Sequence, residues 1–439
     1  MVIIENTSLV DGYVFTKRGV KMAYKDLRKL FFADKDNYES IYQNRFSNES
    51  AIHLGIEISG NPAFFLITPE ILQLSMEILR LNSSLAPLRE VLPGKAFSQC
   101  RNTCLISEIT LTNDIENVHS SRREISDLLS ALSQHDNRKR FRGLVNKYAM
   151  LLNDEPRQLE TCQDIRNIFD EMVSNEIKMD KPDHLPDGNI FRAESVTVYS
   201  GSDKPLHQGL YPEKLIIQTM NQALEFLNNE TVEKLLRISV FHYLFGYIHP
   251  FYDGNGRVSR FISSYLLSGV LDPIVSFHLS LTIKEQITNY YKAFEICNDP
   301  RNKGDLTPFV LMFLQIIRDS IKELISDLKA KIGEFKYYLE RITVVFPKQN
   351  SHFWQLCSLL IQAALFSEDG IPTHELLESM EISRNTLSTY LKKLPEELYS
   401  SKRITSNIKH YKMNLPVFEE YSNKALQSIS SKSIDNTTI

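Results

Sequence analysis

The stretch His249-Pro-Phe-Tyr-Asp-Gly-Asn-Gly-Arg-Val-Ser-Arg260 constrains this chain more than any other. An apolar run of helical length, Val232–Tyr247, leads into it, and a second helical pattern, Arg257–Ser268, leads out. Two helices must therefore meet at a tight loop. Gly254 and Gly256 bracket Asn255, so the backbone can turn sharply and approach a ligand without a Cβ in the way. Where the loop enters the second helix, unpaired N–H groups and the positive end of the helix dipole face it. That arrangement suits an anion such as phosphate. Arg257 and Arg260 lie three apart on the new helix and can both reach the same site. Asp253 is the one carboxylate among these cations, and a lone carboxylate beside phosphates is the usual holder of Mg²⁺. His249 is the one group in the loop able to take a proton near neutral pH. An anion cradle, a cation site, two arginines and a base together describe phosphate-ester chemistry.

Composition narrows the setting. The chain has 439 residues, 42% hydrophobic and 24% charged, as in a soluble globular protein of two to four domains. Its formal net charge of −4 excludes a general nucleic-acid coat, so any such contact needs a local patch. Five cysteines, an odd number in a long chain, predict reduced thiols. Cys100 and Cys104 have no matching Cys or His pair that would make a zinc site. The N-terminus carries Glu5 and Asp11 where a signal peptide needs an apolar core, and no run reaches the length of a membrane span. The expected location is cytoplasmic, without membrane contact.

The N-terminal third predicts a hairpin over Ala51–Thr68 and a helix opened by Thr68-Pro69-Glu70. A further helix follows over Phe97–Asn117, and a capping box at Ser121–Glu124 opens another. The β-like run Ser195–Tyr199 and the turn Gly201–Pro205 predict an exposed hairpin. Helices are expected over Glu213–Phe226, Ile283–Cys297 and Thr307–Arg341, then a linker at Val345–Ser351. Toward the C-terminus, Thr373 and Ser383 are expected to cap two short helices around a tight turn, and Ile404–Met413 a small hairpin, together a winged helix-turn-helix. From Ser422 the Ser-, Asn- and Lys-rich composition predicts a disordered tail.

The loop resembles the Fic signature, H-P-F-x-[D/E]-G-N-G-R-x-x-R, at every fixed position. The upstream FHYLFGYIHPF, the downstream Tyr290-Tyr291 through Asn298, and GDLTPFVLMFL are similar to the same family. The resemblance implies a mainly α fold: a Fic helical core with a small β-hairpin flap, an α-rich region before it and the winged helix after it. The expected boundaries are 1–175 for the N-terminal region, 176–343 for the core, 352–421 for the winged helix and 422–439 for the tail.

The resemblance also implies transfer of AMP from ATP to a protein hydroxyl, with release of pyrophosphate. His249 would deprotonate the hydroxyl and Asp253 would hold Mg²⁺. Gly254, Asn255 and Gly256 would cradle phosphate oxygens, Arg257 would bind the phosphates and Arg260 the γ-phosphate. Tyr290, Tyr291 and Asn298 are candidates for the adenine pocket, and Phe251 is expected to be a core anchor. Residues 205–212 would be a flap that aligns the target by strand addition, although Leu210-Tyr211-Pro212 stands where the family often has consecutive prolines. Thr112–Asn117 resembles the family's inhibitory motif, [S/T]-x-x-x-E-[G/N], which implies that Glu116 pairs with Arg260 in the γ-phosphate's place. The expected partners are a protein bearing a Ser, Thr or Tyr hydroxyl, the chain itself as substrate, and a second copy in a homo-oligomer. Two alternatives stay open. One is removal of AMP or another phosphotransfer by the same site. The other is a DNA-binding regulator with a Fic sensor, whose winged helix would contact DNA or a protein.

Overall fold

Alternating apolar residues at Ile52, Leu54, Ile56 and Ile58 form the strand they predict, and its partner buries Ala63, Phe64, Phe65 and Leu66. In the computed structural model the described residues are 8–10, 13–15, 24–131, 139–151, 159–199, 205–404 and 408–435. They are mainly helical, with short antiparallel hairpins.

The chain opens with the hairpin β1 (Ser8–Val10) and β2 (Tyr13–Phe15), then α1 (Leu27–Ala33) and α2 (Tyr38–Phe46). The hairpin β3 (Ala51–Ile58) and β4 (Asn61–Leu66) leads to α3 (Pro69–Ser83) and α4 (Leu85–Val91). Next come α5 (Gly94–Ile115), α6 (Arg122–Ser130), α7 (Arg142–Met150), α8 (Cys162–Met172) and α9 (Ser174–Asp180). The hairpin β5 (Thr197–Tyr199) and β6 (Pro205–Gln208) precedes α10 (Glu213–Leu227), α11 (Lys234–Ile248) and α12 (Asn255–Ser268). After these follow α13 (Leu279–Glu285), α14 (Ile287–Asn298) and the 39-residue α15 (Thr307–Val345). The C-terminal elements are α16 (Ser351–Phe366), β7 (Ile371–Pro372), α17 (Thr373–Met380), α18 (Arg384–Leu391), β8 (Tyr399–Arg403), β9 (Lys409–Met413) and α19 (Leu415–Asp435).

The described residues fall into two compact units, one drawn from 1–83 and 105–322, the other from 84–104 and 323–439. In the first, α11 is buried nearly all round, which is why it reads as apolar on every face. In the second, α16 to α18 accompany a three-stranded sheet in the order β7-β9-β8. Leu376, Leu387, Leu391 and Leu398 fill its core.

Several expectations are corrected. The division falls inside α15, at 322/323, and not near the expected linker. The end of α15 packs with the C-terminal elements: Tyr338 lies 6.0 Å from Phe418, and Phe346 lies 5.2 Å from Phe353, between ring centroids. The expected tail from Ser422 continues α19 to Asp435, because Phe418 and Ser422 are buried and Arg341 donates to Ser422 Oγ and Asn423 Oδ1. The helix expected over Ile283–Cys297 is two, broken at Gln286, whose amide reaches Asp319 at 3.0 Å. Thr373 does not cap α17; its hydroxyl donates to the Lys409 carbonyl. Ser383 does cap α18, accepting from Thr386 N–H. Turn residues 201–204 lie outside the described residues.

Candidate active site

The loop after α11 is held from below. His249 ends α11 with φ 52° and ψ 64°, a left-handed conformation uncommon outside glycine, and its N–H bonds the Phe245 carbonyl. Phe251 is fully buried, stacked on Phe169 at 4.0 Å and edge-on to Phe191 at 5.5 Å. It is the core anchor expected. Phe251→Ala is expected to cost roughly 3–5 kcal/mol of stability, read as a lower urea midpoint.

The side chain of Asn255 closes on its own loop. Its Oδ1 accepts from Phe251 N–H and its Nδ2 donates to the Phe251 carbonyl. Both ends of the side chain brace the loop. Gly254, with φ 77°, takes the N-cap position of α12. Its N–H turns back to Asp253 Oδ1 at 2.6 Å, so that donor serves the aspartate.

Arg192 was not singled out by the sequence. It is completely buried, and its guanidinium donates to the carbonyls of His249, Glu194 and Leu210. One side chain thereby ties the loop after α11 to the residues on either side of the β5–β6 hairpin.

A cavity of about 90 Å³ opens above the start of α12. Of the residues expected at a site, His249, Asn255, Gly256, Arg260, Tyr290, Tyr291 and Glu116 line it. The carboxylate of Glu116 lies against Gly256, in the space a Cβ there would fill. Its Oε1 is 2.8 Å from Arg260 Nη2. Thr112 holds the same guanidinium through its hydroxyl at 2.8 Å and its carbonyl at 2.9 Å. One turn earlier on α5, buried Glu108 accepts the N–H and O–H of Ser280. Burial pushes its carboxyl up to about 7, against the pull of those bonds and of Arg260. Successive turns of α5 thus bind the helix to the site. The end of α5 is closed by Asn117 at φ 57° and by Val118 N–H on the Asn113 carbonyl.

Arg257 does not join Arg260. It is buried and bonds Glu176 of α9, since residues three apart on α12 point about 60° apart and here meet different neighbours. Asp253 also lies outside the cavity lining, with Oδ2 3.3 Å from Lys181 Nζ and 3.8 Å from His184 Nδ1. Burial alone would raise its carboxyl; Arg257, Lys181 and the Gly254 N–H outweigh that and hold it below the usual value. Glu176 and Lys181 left no signal in the sequence, because their partners are more than 70 positions away.

The adenine candidates separate. Tyr290 and Tyr291 face the cavity, with Tyr290 hydroxyl 2.8 Å from His242 Nε2. His242 is buried and also meets Ser263 and Ser259, a polar network inside α11 and α12. Asn298 is not part of the lining; its Oδ1 accepts from Tyr243.

The sequence model of the Fic/DOC family matches residues 161–267, which contain the hairpin, the loop and all but the last residue of α12. The chain contains a Fic/DOC family domain. The Fic domain is similar to named proteins elsewhere. The "Protein adenylyltransferase fic-1" of Caenorhabditis elegans is 28% identical over 141 residues, 31% of this chain and 25% of that protein. The "Protein adenylyltransferase Fic" of Drosophila melanogaster is 32% identical over 124 residues, 28% of this chain and 23% of that protein. The chain thus spans about a quarter of the length of the curated relatives it matches. A crystal structure of a Fic family protein from Desulfovibrio desulfuricans G20 is 19% identical with a TM-score of 0.46, covering 80% of this chain and 97% of that one. No helix among the described residues is long and apolar enough to cross a membrane.

Proposed function

We propose that this chain is a Mg²⁺- and ATP-dependent protein adenylyltransferase, active on a protein hydroxyl and on itself, and restrained by Glu116. The observation that carries the reading is the meeting of His249, Gly256, Arg260 and Glu116 around one cavity at the start of a helix. Its test is the appearance of AMP on a protein after incubation with ATP.

The chemistry follows from the groups present. The first-turn N–H groups of α12 and the Arg260 guanidinium offer positive charge to a triphosphate. The imidazole of His249 takes the proton of a target Ser, Thr or Tyr hydroxyl. The freed oxygen bonds the α-phosphorus, and the bond from that phosphorus to the pyrophosphate breaks. Arg257 acts at one remove, through Asp253 at 3.8 Å and Glu176. Burial comes first among the causes that pull the His249 pKa down, followed by His207 and Arg192, so the imidazole is neutral and ready to accept.

Among the described residues no group of three or more His, Cys, Asp or Glu side chains could hold a metal alone. A single ionised aspartate fits Mg²⁺, which keeps several waters and shares substrate phosphates. Asp253, held below the usual carboxylate range, would supply that ligand, and the cation would neutralise phosphate charge. Asp253→Asn is expected to slow transfer at least about tenfold, on the order of 1.4 kcal/mol of barrier, and to flatten the dependence on Mg²⁺. An unchanged Mg²⁺ titration would place the metal elsewhere.

The restraint is electrostatic. Glu116 takes the guanidinium that a γ-phosphate needs, so ATP binds with its α-phosphate misplaced. Removal of AMP from a protein by the same site, with water as the acceptor, or transfer of another phosphate-linked group, is the alternative reaction.

A second reading concerns the C-terminal unit. Arg384, Asn385 and Ser388 are exposed on α18 and Lys392 just after it, while Leu387 and Leu391 hold its inner face. We propose a winged-helix docking module there, and a salt-dependent gel shift separates DNA from protein as its partner.

A further inference from the structure

The helix α9 and its exit present charges to the loop in a crossed pattern. Glu176, in the first turn, pairs with Arg257, and Lys181, just past the end, pairs with Asp253. Asp253 Oδ1 in turn lies 3.8 Å from Arg257 Nη2. Carboxylate, guanidinium, carboxylate and ammonium thus alternate in one row. Exposure rises along it, from 1% at the Arg257 side chain to 26% at Asp253 and 58% at Lys181. The free end of the row is therefore the ammonium. The backbone of Lys181 is fixed, its N–H on the Ile177 carbonyl at 2.7 Å and its own carbonyl accepting His184 N–H at 2.9 Å. Its head moves on a flexible four-carbon stem. The neighbouring acid Asp180 goes to Arg140 at 3.0 Å.

Both oxygens of Asp253 are in use. Oδ1 accepts Gly254 N–H at 2.6 Å, and Gly254 is the N-cap of α12 at φ 77°, so that bond belongs to the turn itself. Oδ2 accepts from Lys181 Nζ at 3.3 Å; His184 Nδ1, at 3.8 Å, is beyond hydrogen-bond reach. Oδ2 is thus the oxygen that can be given up without disturbing the helix start. A carboxylate oxygen sits about 2.0–2.1 Å from Mg²⁺ when it binds one. An ammonium kept on the same oxygen would stand within a few ångströms of a doubly charged ion, and like charges at that spacing repel. Lys181 and Mg²⁺ therefore exclude each other at Oδ2. A half-exposed ion pair is weak, so the exclusion yields to a cation whose charge a triphosphate already neutralises.

We propose that Lys181 competes with Mg²⁺ for Asp253: its ammonium holds Oδ2 and gives it up when a triphosphate brings the cation. The proposal rests on the reading of Asp253 as the metal ligand. Lys181 is then a positioning residue that acts through Asp253. It sets how much Mg²⁺ the site demands and disfavours free Mg²⁺ relative to Mg²⁺ that arrives on a nucleotide.

The experiment measures equilibrium binding of α,β-methylene-ATP to the chain by calorimetry, in EDTA and across a series of Mg²⁺ concentrations. This analogue cannot release pyrophosphate, so the readout is independent of transfer. Lys181→Met keeps an apolar stem and removes the charge. It is expected to reach half-maximal enhancement at about 3- to 10-fold less Mg²⁺ than the wild type. Lys181→Arg keeps the charge and should keep the wild-type midpoint. In EDTA, Lys181→Met should bind the analogue within about twofold of the wild type. An unmoved midpoint in Lys181→Met overturns the proposal. So does an equal shift in Lys181→Arg, which makes the role structural, or a higher midpoint with weaker binding in EDTA, which makes Lys181 a phosphate ligand. Adding Asp253→Asn to Lys181→Met separates this proposal from the reading beneath it. Loss of the gain supports competition at Asp253, whereas a gain that persists places the metal elsewhere and removes that reading. If no chain responds to Mg²⁺, or none binds the analogue, the reading fails, and the proposal with it.

Discussion

His249→Ala is expected to slow adenylyl transfer about 10²- to 10⁴-fold while leaving ATP binding nearly unchanged. The imidazole meets the target hydroxyl, whereas the helix start and Arg260 meet the triphosphate, so the two readouts should part. Nucleotide titration and labelled-AMP transfer on the same preparation measure both. The pH dependence has a definite sign. Burial, with His207 and Arg192, pulls the His249 pKa well below the ordinary imidazole value of 6.5. A base with a lowered pKa is already deprotonated at neutral pH and becomes protonated only in acid. The acid limb of kcat/KM should therefore fall well below pH 6.5. Transfer retained in the alanine variant would remove the base assignment.

Glu116→Gly is expected to raise self-modification and target modification by about 5- to 150-fold, although the side chain touches no reacting atom. Arg260 can hold a γ-phosphate or a carboxylate, and a carboxylate tethered just past the end of α5 competes at high effective concentration. Arg260→Ala should not imitate this release, because it removes the partner of the γ-phosphate together with that of Glu116. The double variant should behave as Arg260→Ala alone. Equal rates for wild type and Glu116→Gly at saturating ATP and Mg²⁺ would return Thr112–Asn117 to an ordinary helix end. Thr112 and Glu108 remain bonded in the variant, so α5 should keep its place and the gain should come from the carboxylate alone.

Much of the site was legible because it is contiguous. The loop, its two helices and the Phe251 anchor lie within a few turns, and glycine, helix-start and aromatic burial rules act locally. Glu116 was legible only through the family pattern; nothing local separates it from a solvated helix end. The partners of the loop were harder to see. Glu176, Lys181 and Arg192 reach it across 57 to 81 positions, and a single sequence gives no hint of which distant charge a buried arginine or an aspartate will meet. The direction of Arg257 failed for the same reason: spacing on a helix fixes an angle, and the neighbours decide what lies there. In the fold, the break at Gln286 carries no glycine or proline to announce it. The helix α19 overrides a polar composition because a few residues, Phe418 and Ser422 among them, find a packed surface.

Mass spectrometry of the Glu116→Gly chain, after incubation with Mg²⁺ and ATP labelled in its α-phosphate, tests the central claim most directly. The expected result is a mass increment of AMP on Ser, Thr or Tyr side chains, carrying the label and lost when His249→Ala is added. An increment of phosphate alone, or no modification of the chain or of any protein in an added cell lysate, would contradict it.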